Sequence, residues 1–256
     1  MVTHISDVAG LNGERARRAA AFQYAALGAE LKQLDADEWQ RQTECDRWDV
    51  HAVVAHLVGW MEALTSLKEL RHQVRAGWGR RKELGNILDA VNEVQVDDRS
   101  KLDPAALIAR YEEMYPRFLA RRARMGKVGR AIPLYDPVVV GVTNLGFFAN
   151  VIFTRDTFMH RIDVAVAVGK TVELAQEDGW ILADVVKDWS QRRKVDGTIE
   201  IAGVGVFRAA TGSRCEISGS GADLCRVLSG RADPGELSLQ GDVDAARRWL
   251  RAGCPF

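Results

Sequence analysis

Two periodicities meet near Gly169, and they limit what this chain can become. Before that glycine, apolar residues recur at the three- and four-residue spacing of helices. After it, several short runs alternate as strands do. Residues 13–33 (GERARRAAAFQYAALGAELKQ) are rich in strong helix formers. Asp49 is placed as the N-cap of a second long helix, VHAVVAHLVGWMEALTSLKELRHQV, in which Val53, Leu57, Trp60 and Leu64 fall at helical spacing. A third helix is expected to be capped near Asp103, with Pro104 in its first turn, and to kink or restart at Pro116. The fourth runs from about Asn144 to Val168, where Gly169 ends it. Four long helices joined by moderate loops are the pattern of a four-helix bundle, which names no function by itself.

Beyond Gly169, residues 177–195 read as one more helix. GTIEIAGVGVFRAAT then alternates as a strand and SRCEISGSG as a second. ADLCRVLSGR reads as a short helix, GELSLQGD as a strand and VDAARRWLRAG as a closing helix. The expected fold is therefore α+β: a bundle over residues 1–172 and a small α+β domain over 173–256. Residues 131–153 have the length of a membrane span. Pro133, Asp136, Pro137, Asn144 and Asn150 interrupt them, and the stretch reads as a loop leading into a buried helix.

Charge excludes some partners. Lysine plus arginine and aspartate plus glutamate number 35 each, so nothing favours nucleic acid or an anionic membrane. The basic runs GRRKEL and RRARMGK read as solvated faces. Cys45, Cys215, Cys225 and Cys254 have neither zinc-ribbon spacing nor the density of a disulfide framework. The first residues lack the apolar core of a signal peptide, and a cytoplasmic location is expected, with His4 in a frayed terminus. The glycines at 203, 205, 219 and 221 do not form a dinucleotide-binding turn.

The chemistry concentrates in FTRDTFMHRID, residues 153–163, where Asp156 and His160 stand four apart on one helical face amid apolar neighbours. Such a pair is either a solvated ion pair or two ligands of a metal that needs a third. Of the five histidines, His56 lies on the apolar face of the second helix, between Val53, Leu57 and Trp60. A ring there must be hydrogen-bonded or ligated. It is a satisfied core histidine, or it completes a two-histidine, one-carboxylate set with open positions for water or substrate. Asp163 reads either as a support for a ligand or as a surface partner of Arg161, and Cys45 as a structural loop residue.

TECDRWDVHAVVAHLVGW, residues 43–60, resembles the first motif of the DinB-like bundle proteins of the mycothiol-dependent maleylpyruvate isomerase family. Thr43, Cys45, Trp48 and the run Ala55-His56-Leu57-Val58-Gly59 carry the likeness. RDTFMHRIDVAVAVG, residues 155–169, is similar to the second motif, and residues 218–242 resemble the family's sterol-carrier-like C-terminal domain. The resemblance implies a divalent metal, usually zinc, held by His56, Asp156 and His160, with Asp156 standing where the family's name-giving member has Glu. It also implies mycothiol as the thiol cofactor. The thiolate would add to the cis double bond of maleylpyruvate, and rotation and elimination would give the trans isomer. Arg231 of LSGRADP is the arginine the resemblance suggests for substrate carboxylates or thiol, against its plain reading as an exposed helix-end residue.

Two classes of function follow, beside a third reading as a stress-related or regulatory interaction protein with a vestigial site, in which His56, Asp156 and His160 would not converge. One is a metal- and mycothiol-dependent isomerase or S-transferase acting on a small electrophile. The other is a non-catalytic protein that holds metal or a small ligand.

Overall fold

Side-chain caps start many of the helices in the computed structural model, which describes residues 2–136 and 141–256. The chain begins with strand β1 (Val2–His4), followed by five helices: α1 (Gly13–Leu31), α2 (Val50–Thr65), α3 (Leu67–Arg80), α4 (Ile87–Arg99) and α5 (Pro104–Arg124). A short α6 (Lys127–Ala131), a hairpin of β2 (Pro133–Asp136) and β3 (Gly141–Asn144), and the single turn α7 (Leu145–Phe147) lead to α8 (Phe153–Ala167). Next come α9 (Gln176–Arg193), β4 (Gly197–Ile201), β5 (Gly205–Ala209) and β6 (Cys215–Gly219). Helix α10 (Gly221–Leu228), β7 (Ser238–Gly241) and α11 (Val243–Arg251) complete the order. The architecture is α+β, with a helical bundle and a mixed sheet. No helix among the described residues is long and apolar enough to cross a membrane.

The chain divides into two compact units that are not consecutive in sequence. One comprises residues 1–23, 127–162 and 172–256, the other residues 24–126 and 163–171. In the second unit, α2 packs with α3, α4 and α5. Asp49 caps α2 as expected, its carboxylate accepting from the Ala52 amide at 2.8 Å. The long second helix is broken, however. Ser66 adopts an extended conformation (φ −132°, ψ 117°) and its hydroxyl caps a separate α3. Helix α4 was not anticipated at all: its polar sequence hides the buried face of Ala90, Val91, Val94 and Gln95. Asp103 and Pro104 start α5 as expected, but the helix runs on through Pro116. That proline is exposed, as is Glu112, whose carbonyl loses its backbone donor and can turn to water.

In the first unit the sheet order is β1-β5-β4-β6-β7. The stretch expected as one strand is a hairpin, β4 and β5, turning at Gly203 (φ +74°). The N-terminus is not frayed: β1 extends the sheet in parallel with β5, pairing His4 with Arg208. Ile181, Leu182, Val185, Val186 and Trp189 of α9 bury against Ile199, Phe207 and Ile217 of the sheet, with Phe158, Met159 and Ile162 of α8 in the same core. Part of the loop expected over residues 131–153, including Pro137, lies outside the described residues. Its flanks form the β2–β3 hairpin.

Candidate metal centre

Helix α8 carries polar side chains inside a nearly continuous buried surface. From Phe153 to Val164 every residue but Asp156 is buried. Asn144 caps the helical run, its Oδ1 accepting from the Phe147 amide at 2.9 Å, and a five-residue π segment, Phe148–Ile152, directly precedes α8. A π turn adds one residue to the helical count, so everything after it is rotated about 100° from where an unbroken α-helix would put it. Gly169 (φ +72°) closes the helix: the Lys170 amide donates to Ala165 O at 2.8 Å and the Gly169 amide to Val166 O at 3.0 Å. On the first turns of α8, His160 Nε2 lies 3.4 Å from Asp156 Oδ1. His160 is 4% exposed, which removes the reading of a solvated ion pair.

The motif ahead of α2 is a stapled loop. Thr43 Oγ1 donates to Trp48 O at 2.6 Å and accepts from the Cys45 amide at 3.1 Å, while Gln42 Nε2 donates to the carbonyls of Cys45 and Trp48, each at 2.9 Å. These bonds set the Trp48 indole, which donates to Glu93 Oε1 at 3.0 Å and tilts against the His56 ring with centroids 4.8 Å apart. His56 is 3% exposed, and its Nδ1 lies 2.9 Å from Gln95 Oε1. Gln95 Nε2 donates to Gln73 Oε1 at 2.9 Å, and Gln73 Nε2 to Gly59 O at 3.0 Å and Glu69 Oε1 at 2.8 Å. Both glutamines are fully buried. Burial pushes the Glu69 carboxyl up, but hydrogen bonds from Gln73 and Arg99 and the Arg99 charge outweigh it, leaving its pKa below the usual value.

Among the described residues, two sets of three side chains bring ligand-type atoms within 4.8 Å of one another: His56 with Asp156 and His160, and Cys45 with His160 and Asp163. Asp163 is not at the surface. It is fully buried and accepts from Cys45 Sγ at 3.5 Å, while Arg161 pairs instead with buried Asp178 at 3.0 Å. The other histidines are engaged elsewhere. His51 Nε2 lies 2.7 Å from Leu102 O, His72 pairs with Asp98 at 2.8 Å, and His4 Nδ1 lies 2.7 Å from Ser6 Oγ. Arg231 belongs to neither ligand set. It follows Gly230 (φ +80°) at the end of α10, half-buried, its amide donating to Arg226 O at 2.8 Å. Gln73 and Gln95 escaped the sequence reading. The available signal was a glutamine on each of two short helices at a position in phase with buried neighbours.

Residues 18–165 match the family described as the mycothiol maleylpyruvate isomerase N-terminal domain, more than half of the chain. Two solved structures of a mycothiol-dependent maleylpyruvate isomerase, one of them a histidine-to-alanine mutant, align over 93% of this chain and 96% of theirs. The TM-score is 0.60 in each case, at 18% identity. At that identity the likeness is one of fold. No curated protein matches the chain in sequence.

Proposed function

The chain belongs to the family of the mycothiol maleylpyruvate isomerase N-terminal domain, and from that premise we propose that it is a cytoplasmic, metal- and mycothiol-dependent enzyme acting on a small electrophile. Its metal ligands are His56, Asp156 and His160, and zinc is the expected ion. The observation that carries this reading is the mutual approach of the three ligand-type atoms to within 4.8 Å, two of them on imidazoles that are almost wholly buried. A buried imidazole pair beside one carboxylate is a donor set suited to a borderline divalent cation, and three protein ligands leave positions open. A cation so held supplies Lewis acidity, under which a coordinated thiol exists as its nucleophilic thiolate.

The protein's own groups divide the remaining work. The His160–Asp156 pair brings one negative charge to the site, which offsets part of the cation's charge and tempers its pull on the thiol. Trp48 covers one face of His56, restricting the ring's rotation. Arg231 is assigned to a carboxylate of the electrophile or to the thiol, as a bidentate cation would serve. Isomerisation and S-transfer share the first step, thiolate addition. They differ in whether the adduct expels the thiol or keeps it.

The test is metal content of the purified wild type beside His160→Ala, followed by assays of the zinc-loaded wild type with mycothiol and maleylpyruvate. Near one zinc per chain, lost in the variant, with thiol-dependent loss of the cis double bond, is the expected result. Stoichiometric metal in His160→Ala overturns the ligand assignment. Bound metal with no thiol-dependent turnover of maleylpyruvate or other activated alkenes moves the protein to the non-catalytic class. For Arg231→Ala, use of the anionic partner weakens while metal content is unchanged, and unaltered kinetics remove Arg231 from the site.

A further inference from the structure

We infer that Gln95, oriented by Gln73, holds the His56 imidazole as its Nδ1–H tautomer and thereby makes Nε2 the atom His56 offers to a metal. The polarity of the relay is fixed at its far end. Gln73 Nε2 faces two groups that only accept, the Gly59 carbonyl at 3.0 Å and the Glu69 carboxylate at 2.8 Å. That contact requires the amino group of Gln73 and leaves its Oε1 to face Gln95 at 2.9 Å. An amide oxygen cannot donate, so Gln95 presents its own amino group there and turns its Oε1 to His56 Nδ1 at 2.9 Å. The last acceptor demands a proton on Nδ1, and a neutral imidazole protonated there carries its lone pair on Nε2.

Nothing in the relay is loose. Gln73 and Gln95 are 0% exposed. Arg99 ties both ends down, donating from Nη1 to the Gln95 carbonyl at 2.8 Å and from Nη2 to Glu69 Oε1 at 3.0 Å. Turning over Gln73 would set acceptors face to face at Gly59 and Glu69 and two amino groups face to face at Gln95, and turning over Gln95 would set its oxygen against Gln73 Oε1. Ligand histidines in metal sites ordinarily have their second nitrogen held by an outer partner. Here that partner is an amide whose direction is dictated two residues away. The consequence for metal affinity rests on the ligand reading above, whereas the tautomer does not.

The two are therefore measured separately. The metal-stripped full-length protein, labelled with nitrogen-15 at histidine, is examined by long-range proton–nitrogen correlation, His56 being assigned by the signals missing in His56→Asn. The wild type is expected to show a pyrrole-type Nδ1 and a pyridine-type Nε2. In Gln95→Leu that pattern is lost to the other tautomer or to a mixture. Zinc affinity, by competition with a chromophoric chelator, falls about ten- to one-hundredfold. Gln73→Leu leaves Gln95 in contact but unoriented, and gives a mixture with a smaller loss. A general loss of stability alone would not convert one tautomer to the other. A wild-type spectrum with the proton on Nε2, or a Gln95→Leu protein that keeps both pattern and affinity, overturns the inference. Should Gln95→Leu not fold, the wild-type and Gln73→Leu spectra decide. The expected wild-type tautomer in a protein that binds no zinc would sink the metal reading and leave the relay standing.

Discussion

Gly59 of α2 sits directly against Gln95 of α4: a β-carbon added at Gly59 would lie 2.5 Å from both Cβ and Cγ of Gln95. Those atoms are the root of the side chain and cannot swing away, so only a glycine lets α4 bring the amide to His56. Gly59→Ala is expected to destabilise the protein. Overpacking costs about 1–3 kcal/mol, which exceeds the roughly 1 kcal/mol that alanine returns through helix propensity. Urea unfolding should show a lower midpoint, and zinc affinity should fall with it because Gln95 is displaced. A variant as stable as wild type, with unchanged zinc affinity, would mean that α2 and α4 can part at no cost.

Asp156 supplies the only carboxylate in the His56–Asp156–His160 set. Asp156→Asn keeps the shape and removes the charge, so zinc affinity should drop at least about tenfold. Linkage gives an independent readout. With zinc at one hundred times its dissociation constant, the wild type should gain about 2.7 kcal/mol in unfolding free energy. At the same zinc concentration Asp156→Asn should gain much less. Equal gains in the two proteins would place the ion elsewhere.

How far the sequence reveals this arrangement depends on which residues carry a local signal. Asp49, Asp103 and Gly169 announce helix ends because capping is a matter of one side chain or one φ angle, and all three act where expected. Asp156 and His160 announce a shared face because their spacing is that of one helical turn. The break at Ser66 has no such announcement: a serine in a helical pattern is tolerated, and only its extended backbone makes it a cap. The parallel pairing of β1 with β5 joins residues about two hundred positions apart and leaves no mark on a three-residue strand. Gln73 and Gln95 carry only the weak signal of their phase with buried neighbours, for a related reason. A buried amide differs from a surface one only through its partners, which lie on other helices.

Arg155, adjacent to Asp156, does structural work. It is 1% exposed and joins Asp184 at 2.7 Å, Asp188 at 3.0 Å and the Pro255 carbonyl at 3.0 Å. Burial works against its charge, but Asp184, Cys254 and Asp188 outweigh that and hold its pKa above the usual arginine value. Arg155→Leu strands the carboxylate of Asp184 with its charge uncompensated, and about 3–5 kcal/mol of stability should be lost. Chemical denaturation measures this directly. Adding Asp184→Leu should recover part of the loss, since removing both partners of a buried pair is milder than removing one. No recovery in the double variant would show that the Pro255 carbonyl and Asp188 matter more than Asp184.

The buried thiols make the first unit sensitive to alkali. Burial, with Asp242 and Asp196 nearby, pushes Cys215 up to about 11, and burial pushes Cys254 up to about 12, from an ordinary value of 9.0. Cys225, also buried, is raised as well. Between pH 9 and 11 the unfolded thiols lose protons that the folded ones retain, so the folded state binds more protons and stability falls as pH rises. Each group contributes a slope approaching about 1.4 kcal/mol per pH unit in that window and none well below pH 9. In the second unit Tyr111, whose burial also raises its pKa, gives a dependence of the same sign above pH 10. Urea unfolding at pH 8, 9, 10 and 11 should give a flat stretch and then a decline, and Cys225→Ala, which lowers the whole curve through lost packing, should make that decline shallower. A stability constant to pH 11 would mean that these thiols ionise in place.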